Sequence, residues 1–236
     1  MSSEIKVISF DLDDTLWPGL PTILRAERLL YQWMTEHTPA ISQQYDIHQL
    51  RDKRRALLND RPQLAHDLTR LRIESFEQLN EEFGLNEDWI QPAFKIFYEA
   101  RQRVELFDDV RPVLDALQKE FRLASLTNGN ADVVKTGVHH WFDYSLNSIG
   151  AGSLKAEPVI YQQLQKLADI EAHQMVHIGD DPLQDVAGAK AAGAFAIWLN
   201  RDQQDWSLAY CKPDAVISSL TALPAALAQL HNRIES

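Results

Sequence analysis

The sequence predicts an α/β protein: a parallel sheet with helices on both faces, interrupted early by an all-helical insertion. Three observations carry this. An apolar strand-like run, Ile5-Lys6-Val7-Ile8-Ser9-Phe10, stands near the start. From about Leu106 onward, strand-like and helix-like segments alternate, the pattern of a parallel sheet covered on both faces. Between them, from about Thr22 to Arg103, β-type runs are scarce, and apolar residues recur at helical spacing, as in Leu24, Leu29, Leu30, Trp33 and Met34.

The elements follow in order. Pro18-Gly19-Leu20-Pro21 reads as a turn after the first strand. Pro39, Pro62 and Pro92 divide the helical stretch into several helices. Beyond it, residues 113–120, 159–168, 186–192 and 222–234 read as helices. Residues 122–127, 144–148, 175–178, 195–199 and 214–217 read as strands. The expected division is 1–17 with 104–236 for the α/β part and 18–103 for the helical insertion.

Bulk properties narrow the function. The 236 residues are 45% hydrophobic and 24% charged, ordinary values for a globular protein. The net charge of −11 repels polyanions, so no nucleic-acid partner is expected. The single cysteine, Cys211, excludes an intrachain disulfide and suits a reducing compartment. The opening Met-Ser-Ser-Glu-Ile-Lys lacks the pattern of a signal peptide, and no apolar run approaches a membrane span. A cytoplasmic protein with no membrane partner is the expectation.

Four polar clusters follow strand-like runs or lie in loops that can reach them. Asp11, Asp13 and Thr15 follow the first strand, and Ser125-Leu126-Thr127-Asn128-Gly129-Asn130 forms the second cluster. Lys155 lies in Ser153-Leu154-Lys155-Ala156-Glu157-Pro158, before a helix. Gly179-Asp180-Asp181-Pro182-Leu183-Gln184-Asp185 is the fourth. In open parallel sheets the ligand site lies outside the carboxyl ends of the strands, so these clusters converge there. Residues two apart on an extended segment point the same way, so Asp11 and Asp13 can face one cleft. Two adjacent carboxylates repel and call for a cation or a shared proton. Each cluster alone reads as an acidic turn, a strand-end turn, a solvated lysine or a helix cap. Together they supply carboxylates for a hard, oxygen-preferring cation such as Mg²⁺, and Thr127, the amides around Asn128 and Gly129, and Lys155 for an oxyanion. A metal with anion donors describes phosphoryl transfer, in which a carboxylate can serve as nucleophile.

This ordered set resembles the haloacid dehalogenase superfamily of phosphohydrolases. Its D-x-D-x-T motif is met by Asp11, Asp13 and Thr15, its Ser/Thr by Thr127, its Lys by Lys155, and its acidic G-D-x-x-x-x-D by Gly179, Asp180 and Asp185. The resemblance implies a Rossmann-like core with an inserted helical cap domain. It implies that Asp11 is the nucleophile that becomes phosphorylated, and that Asp13 protonates the leaving group and then activates water. It further implies that Asp11, the backbone carbonyl of Asp13 and Asp180 hold Mg²⁺, with Asp185 in support and Thr127, Asn128 and Lys155 binding the substrate phosphate. Asp181 is either a supporting group or a helix cap.

The family's true dehalogenases lack the second aspartate, so Asp13 favours a phosphatase acting on a small phosphorylated metabolite. A phosphomutase and a non-catalytic phosphate-ligand-binding module stay as alternatives. Arg51, Lys53, Arg54, Arg55 and Arg61 concentrate positive charge and read mostly as a solvated helix face. In His66-Asp67-Leu68-Thr69-Arg70-Leu71-Arg72, helical spacing puts His66 and Arg70 on one face and Asp67 within pairing distance of Arg70. This segment, with residues 21–27, resembles bacterial phosphatases of flavin synthesis that act on a ribityl-phosphate intermediate or FMN, so His66 and Arg70 are candidate specificity residues. Most of the six tryptophans read as packing; Trp17, directly after the first motif, is placed to line the substrate entrance.

Overall fold

The computed structural model describes residues 5–235; the reading of the N-terminus as leaderless rests partly on residues 1–4, which lie outside them. Six parallel strands form one sheet: β1 (Val7–Phe10), β2 (Arg122–Thr127), β3 (Tyr144–Asn147), β4 (Met175–Gly179), β5 (Phe195–Leu199) and β6 (Ala215–Ile217), in the order β3-β2-β1-β4-β5-β6. β1 and β4 are buried along their whole length, as central strands covered on both faces must be. The register sets Ser9 beside Ala124 on one side and His177 on the other. From β1 the sheet grows through β2 in one direction and through β4 in the other. The topological switch therefore lies at β1 and β4, where open α/β sheets bind their ligands.

The chain clusters into two compact units. One holds the residues up to Pro18, Glu105–Gly129 and those from Gly137 onward; the other holds Gly19–Val104 and Asn130–Thr136. The second unit contains α1 (Gly19–His37), α2 (Pro39–Gln44), α3 (Ile47–Asp60), α4 (Leu68–Phe83) and α5 (Ile90–Arg101). The segment expected as a turn at 18–21 is already helical from Gly19. Pro21 falls in the first turn, where no backbone donor is lost, and Pro39 and Pro92 occupy the same place in α2 and α5. Asp46 and Gln49 form a capping box at the start of α3, and Gly84 closes α4 with φ of 59°. Ala26, Leu30, Met34, Phe76, Leu79, Ala93 and Phe97 form this unit's own core. Asn130–Thr136, expected with the sheet, joins the helices because Gln102 accepts from the Asp132 N–H at 2.8 Å and donates to the Asn130 carbonyl at 3.2 Å.

The α/β unit adds α6 (Val110–Leu117), α7 (Ser148–Ala151), α8 (Val159–Leu167), α9 (Gly188–Ala191) and α10 (Leu223–Glu235). α6 begins earlier than the expected 113–120 because Pro112 is accommodated in its first turn. The helix expected at 186–192 is instead a π-helical turn, Pro182–Ala187, running into α9. Its widening shows in the Val186 N–H, which bonds the Asp181 carbonyl five residues back at 3.3 Å. Among the described residues, no helix is long and apolar enough to cross a membrane.

Candidate active site

The turn after β1 carries the first carboxylates. Asp11 is buried and its N–H bonds the Ile178 carbonyl of β4 at 2.9 Å. The strand ends at Phe10, so strand alternation does not by itself orient Asp13. Asp14 takes φ of 59°, and its N–H bonds the Trp17 carbonyl at 2.7 Å. This fold-back brings the Trp17 indole N–H to Asp13 Oδ1 at 2.8 Å. Trp17 is fully buried, so it holds Asp13 rather than lining an entrance as expected.

Lys155 is the hub of the site. Its ammonium donates to Asp11 Oδ1 and, at 2.6 Å, to Asp185 Oδ1, and all three side chains are buried. Carboxylate oxygens of Asp11, Asp180 and Asp185 lie within 4.8 Å of one another. Desolvation raises the Asp11 carboxyl well above the usual carboxylate range, and Asp185 and Asp180 push the same way while Lys155 opposes. Burial and the Asp185 charge push Asp180 up to about 7. Burial works against ionisation of Asp185, yet Lys155 and His177 outweigh it and hold that carboxyl well below its ordinary value. Burial likewise opposes the Lys155 charge, but Asp11 and Asp185 raise it above the usual lysine value. Oxygen donors crowded in this way, two of them disfavoured as anions, fit a hard divalent cation.

The remaining predicted residues brace this core. Thr127 is buried, and its Oγ1 accepts from the Gly129 N–H at 2.9 Å. The expectation for Asn128 rests on the amides around it; its side chain is engaged, Oδ1 accepting from the Lys155 N–H and Nδ2 donating to Gln184 Oε1, each at 2.9 Å. Asp181 is exposed and caps the π-helical turn, accepting from the Leu183 and Gln184 N–H groups at 2.8 Å. His66 ends a separate 3₁₀ turn, Pro62–His66, before α4 begins, so helical spacing does not link it to Arg70. Asp67 caps α4 by accepting from the Arg70 N–H, while the Arg70 guanidinium pairs with Glu74 at 2.8 Å and Glu77 at 3.3 Å. Arg70 is thereby committed to acidic neighbours on its own helix.

Several supporting residues escaped the sequence reading. His177 Nε2 meets Asp185 Oδ1 at 3.1 Å, and its Nδ1 meets the Ser9 hydroxyl at 2.8 Å. Burial lowers the His177 imidazole below its ordinary value, so it is neutral; the acceptor-only carboxylate assigns the proton to Nε2 and makes Ser9 the donor to Nδ1. Trp198 donates to the Asp180 carbonyl at 2.6 Å. Arg201 donates to the Thr15 carbonyl at 3.0 Å while pairing both ways with Asp109 at 2.9 Å. The V-H-I-G-D run offered one available signal, a histidine inside an otherwise apolar central strand. Two glycines are demanded by close approach: a Cβ on Gly179 would stand 2.2 Å from Asp185 Cγ, and one on Gly188 would stand 1.7 Å from the Lys155 carbonyl oxygen.

Crowded carboxylates around one lysine thus stand at the switch point of a parallel sheet, the position of a ligand or catalytic site. Residues 5–193 match the haloacid dehalogenase-like hydrolase family, and the chain belongs to it. It is 30% identical over 205 residues, 85% of this chain and 86% of the relative, to the 5-amino-6-(5-phospho-D-ribitylamino)uracil phosphatase YigB of Escherichia coli. It is 29% identical over 132 residues, 53% of each chain, to the phosphoserine phosphatase of Thermus thermophilus. Among solved structures, a 2-haloacid dehalogenase from Pseudomonas syringae pv. Tomato superposes with a TM-score of 0.88 at 36% identity, covering 96% of this chain and 99% of that one. The protein is therefore a hydrolase of this family.

Proposed function

We propose that this protein is a Mg²⁺-dependent phosphomonoesterase of small phosphorylated metabolites, working through an aspartyl-phosphate on Asp11. The observation that carries the reading is the convergence of Asp11, Asp180 and Asp185 within 4.8 Å around Lys155. Asp11, Asp180 and the Asp13 backbone carbonyl would hold the cation, with Asp185 in support. Bound there, the cation would neutralise phosphoryl oxygens and keep the Asp11 carboxylate ionised.

In the first step a carboxylate oxygen of Asp11 attacks phosphorus and the ester P–O bond breaks. Asp13 gives its proton to the departing alkoxide. In the second step Asp13 takes a proton from water, whose oxygen attacks the phosphoryl group. The P–O bond to Asp11 breaks, and inorganic phosphate and the free carboxylate result. Thr127 and Lys155 would hold the phosphoryl oxygens. Asp13 favours one of the activities named for the relatives: an alkoxide leaves with a proton and a halide without one, so an acid held in place by Trp17 supports the reading as a phosphatase of esters.

The helical unit would select the substrate. Flavin-pathway phosphate esters, FMN and sugar phosphates are the first candidates, in line with the activity named for the Escherichia coli relative. The lone cysteine fits work in a reducing compartment such as the cytoplasm. A phosphate-release screen over such metabolites tests the reading, with Mg²⁺ and with EDTA. Turnover that needs Mg²⁺ supports it, and no phosphate release with any divalent cation refutes it. Turnover confined to unrelated phosphates, with none of FMN or sugar phosphates, refutes the substrate class alone.

A further inference from the structure

We infer that the helical unit binds a small oxyanion, a carboxylate or phosphate group, in a cleft formed by its own residues on α1, α3 and α4. Glu27 on α1 is 5% exposed and takes three guanidiniums. Arg51 donates to Oε2 through Nε at 3.1 Å and Nη2 at 2.6 Å, Arg54 donates to Oε1, and Arg72 Nη2 lies 3.5 Å from Oε1. Three buried or half-buried cations thus share one carboxylate, and two positive charges have no counterpart in that cluster. Charge removed from water in this way calls for a compensating anion.

Arg72 shows where the deficit is felt. It is 6% exposed and lies 3.4 Å above the Phe97 ring, and its Nη1 has no hydrogen-bond partner among the described residues. Burial, reinforced by Arg54, holds its guanidinium well below the usual arginine value although Glu27 pulls the other way. Arg54 and Arg72 line a cleft with Leu30, Met34, Ser75 and Phe76 that leaves about 30 Å³ between the side chains. That room admits a small polar group beside the guanidiniums. A guanidinium with an idle N–H offers donors only and matches an oxyanion.

The cleft is built from residues other than those of the proposed phosphatase chemistry, whose Thr127 and Lys155 would also take phosphate, so the experiment separates the two. Thermal unfolding of the full chain is followed at fixed pH and ionic strength while chloride is exchanged for formate or for phosphate. Tm should rise saturably in the wild type, in Thr127→Ala and in Arg55→Gln, whose arginine is exposed and paired with Asp52. The part of the saturable rise that Thr127→Ala keeps should vanish in Arg72→Gln and Arg54→Gln. A response to formate alone identifies a small carboxylate as the ligand, and a response to phosphate alone identifies free phosphate. Should Arg72→Gln not fold, Arg72→Lys keeps the charge but loses the fork and should weaken apparent affinity at least ~10-fold. Three results would overturn the proposal: the same non-saturating rise for every salt, a response lost in Thr127→Ala, or unchanged affinity in Arg72→Lys. Absence of phosphatase activity would leave the anion response standing.

Discussion

Trp17 donates its indole N–H to Asp13 Oδ1 at 2.8 Å, and a backbone bridge joins the same two residues. The proposed general acid is thus held by a buried aromatic side chain four residues further on. Removing that bond while keeping the ring isolates its contribution. Trp17→Phe should lower kcat/KM, which stops at phosphorylation of Asp11, about 10-fold on alkyl phosphates, the scale of one hydrogen bond. Asp13→Asn should lower it by ~10²–10⁴. Aryl phosphates leave without a proton, so both variants should lose less on p-nitrophenyl phosphate. Steady-state kinetics on the two ester types checks this, and equal losses on both would show that Asp13 is not the acid.

Asp11 is expected to be irreplaceable. Asp11→Asn should reduce phosphate release at least ~10³-fold, because it removes the nucleophile itself. Wild-type enzyme quenched in acid during turnover should carry phosphate on this residue, detectable by mass spectrometry, and the variant should carry none.

Metal removal gives the next expectation. EDTA should stop turnover and Mg²⁺ should restore it. Asp180→Asn should raise the Mg²⁺ concentration for half-maximal activity at least ~10-fold, since it removes one of three converging carboxylates. A Mg²⁺ titration of both proteins measures the shift.

Gly188 is required by packing. A Cβ there would meet the Lys155 carbonyl at 1.7 Å, a backbone atom on the segment that delivers the lysine. Gly188 has ordinary helical angles, φ −62° and ψ −47°, so alanine would be welcome on conformational grounds. Gly188→Ala should nevertheless destabilise by about 1–3 kcal/mol in urea unfolding and lower activity with it.

Glu27 makes the stability of the helical unit depend on pH. Burial opposes its ionisation, but Arg54, Arg51 and Arg72 together hold its carboxyl below the usual value of 4.5. Its unfolded form therefore binds protons at higher pH than its native form. The stabilisation is complete above about 4.5 and is lost as the pH falls through the lower native value. Denaturant unfolding between pH 7 and pH 3 should show this loss, and Glu27→Gln should flatten that part of the profile.

The motif residues and the alternation of strands and helices were legible along the chain because strand-end residues at a parallel sheet's switch point announce themselves locally. The arginine cluster was not. Arg51 and Arg54 read as part of a solvated face, whereas both converge on buried Glu27, 24 and 27 positions away in sequence. Helical periodicity reports which face a residue occupies, not which distant helix covers it. Of the five basic residues in that group, Arg55 and Arg61 are exposed as expected, paired with Asp52 and Glu74.

By itself the sequence determined the parallel α/β class, the helical insertion and the order of the acidic and basic residues, since these follow from local periodicity and spacing. Tertiary structure alone decided which of them meet. It set Lys155 between Asp11 and Asp185, 144 and 30 positions distant, and made the Asn128 side chain a brace for the lysine segment. It also made Trp17 the holder of Asp13 and required the glycines at 179 and 188. Such pairings depend on strand order and register, which bring remote residues into contact and leave no periodic trace in the chain.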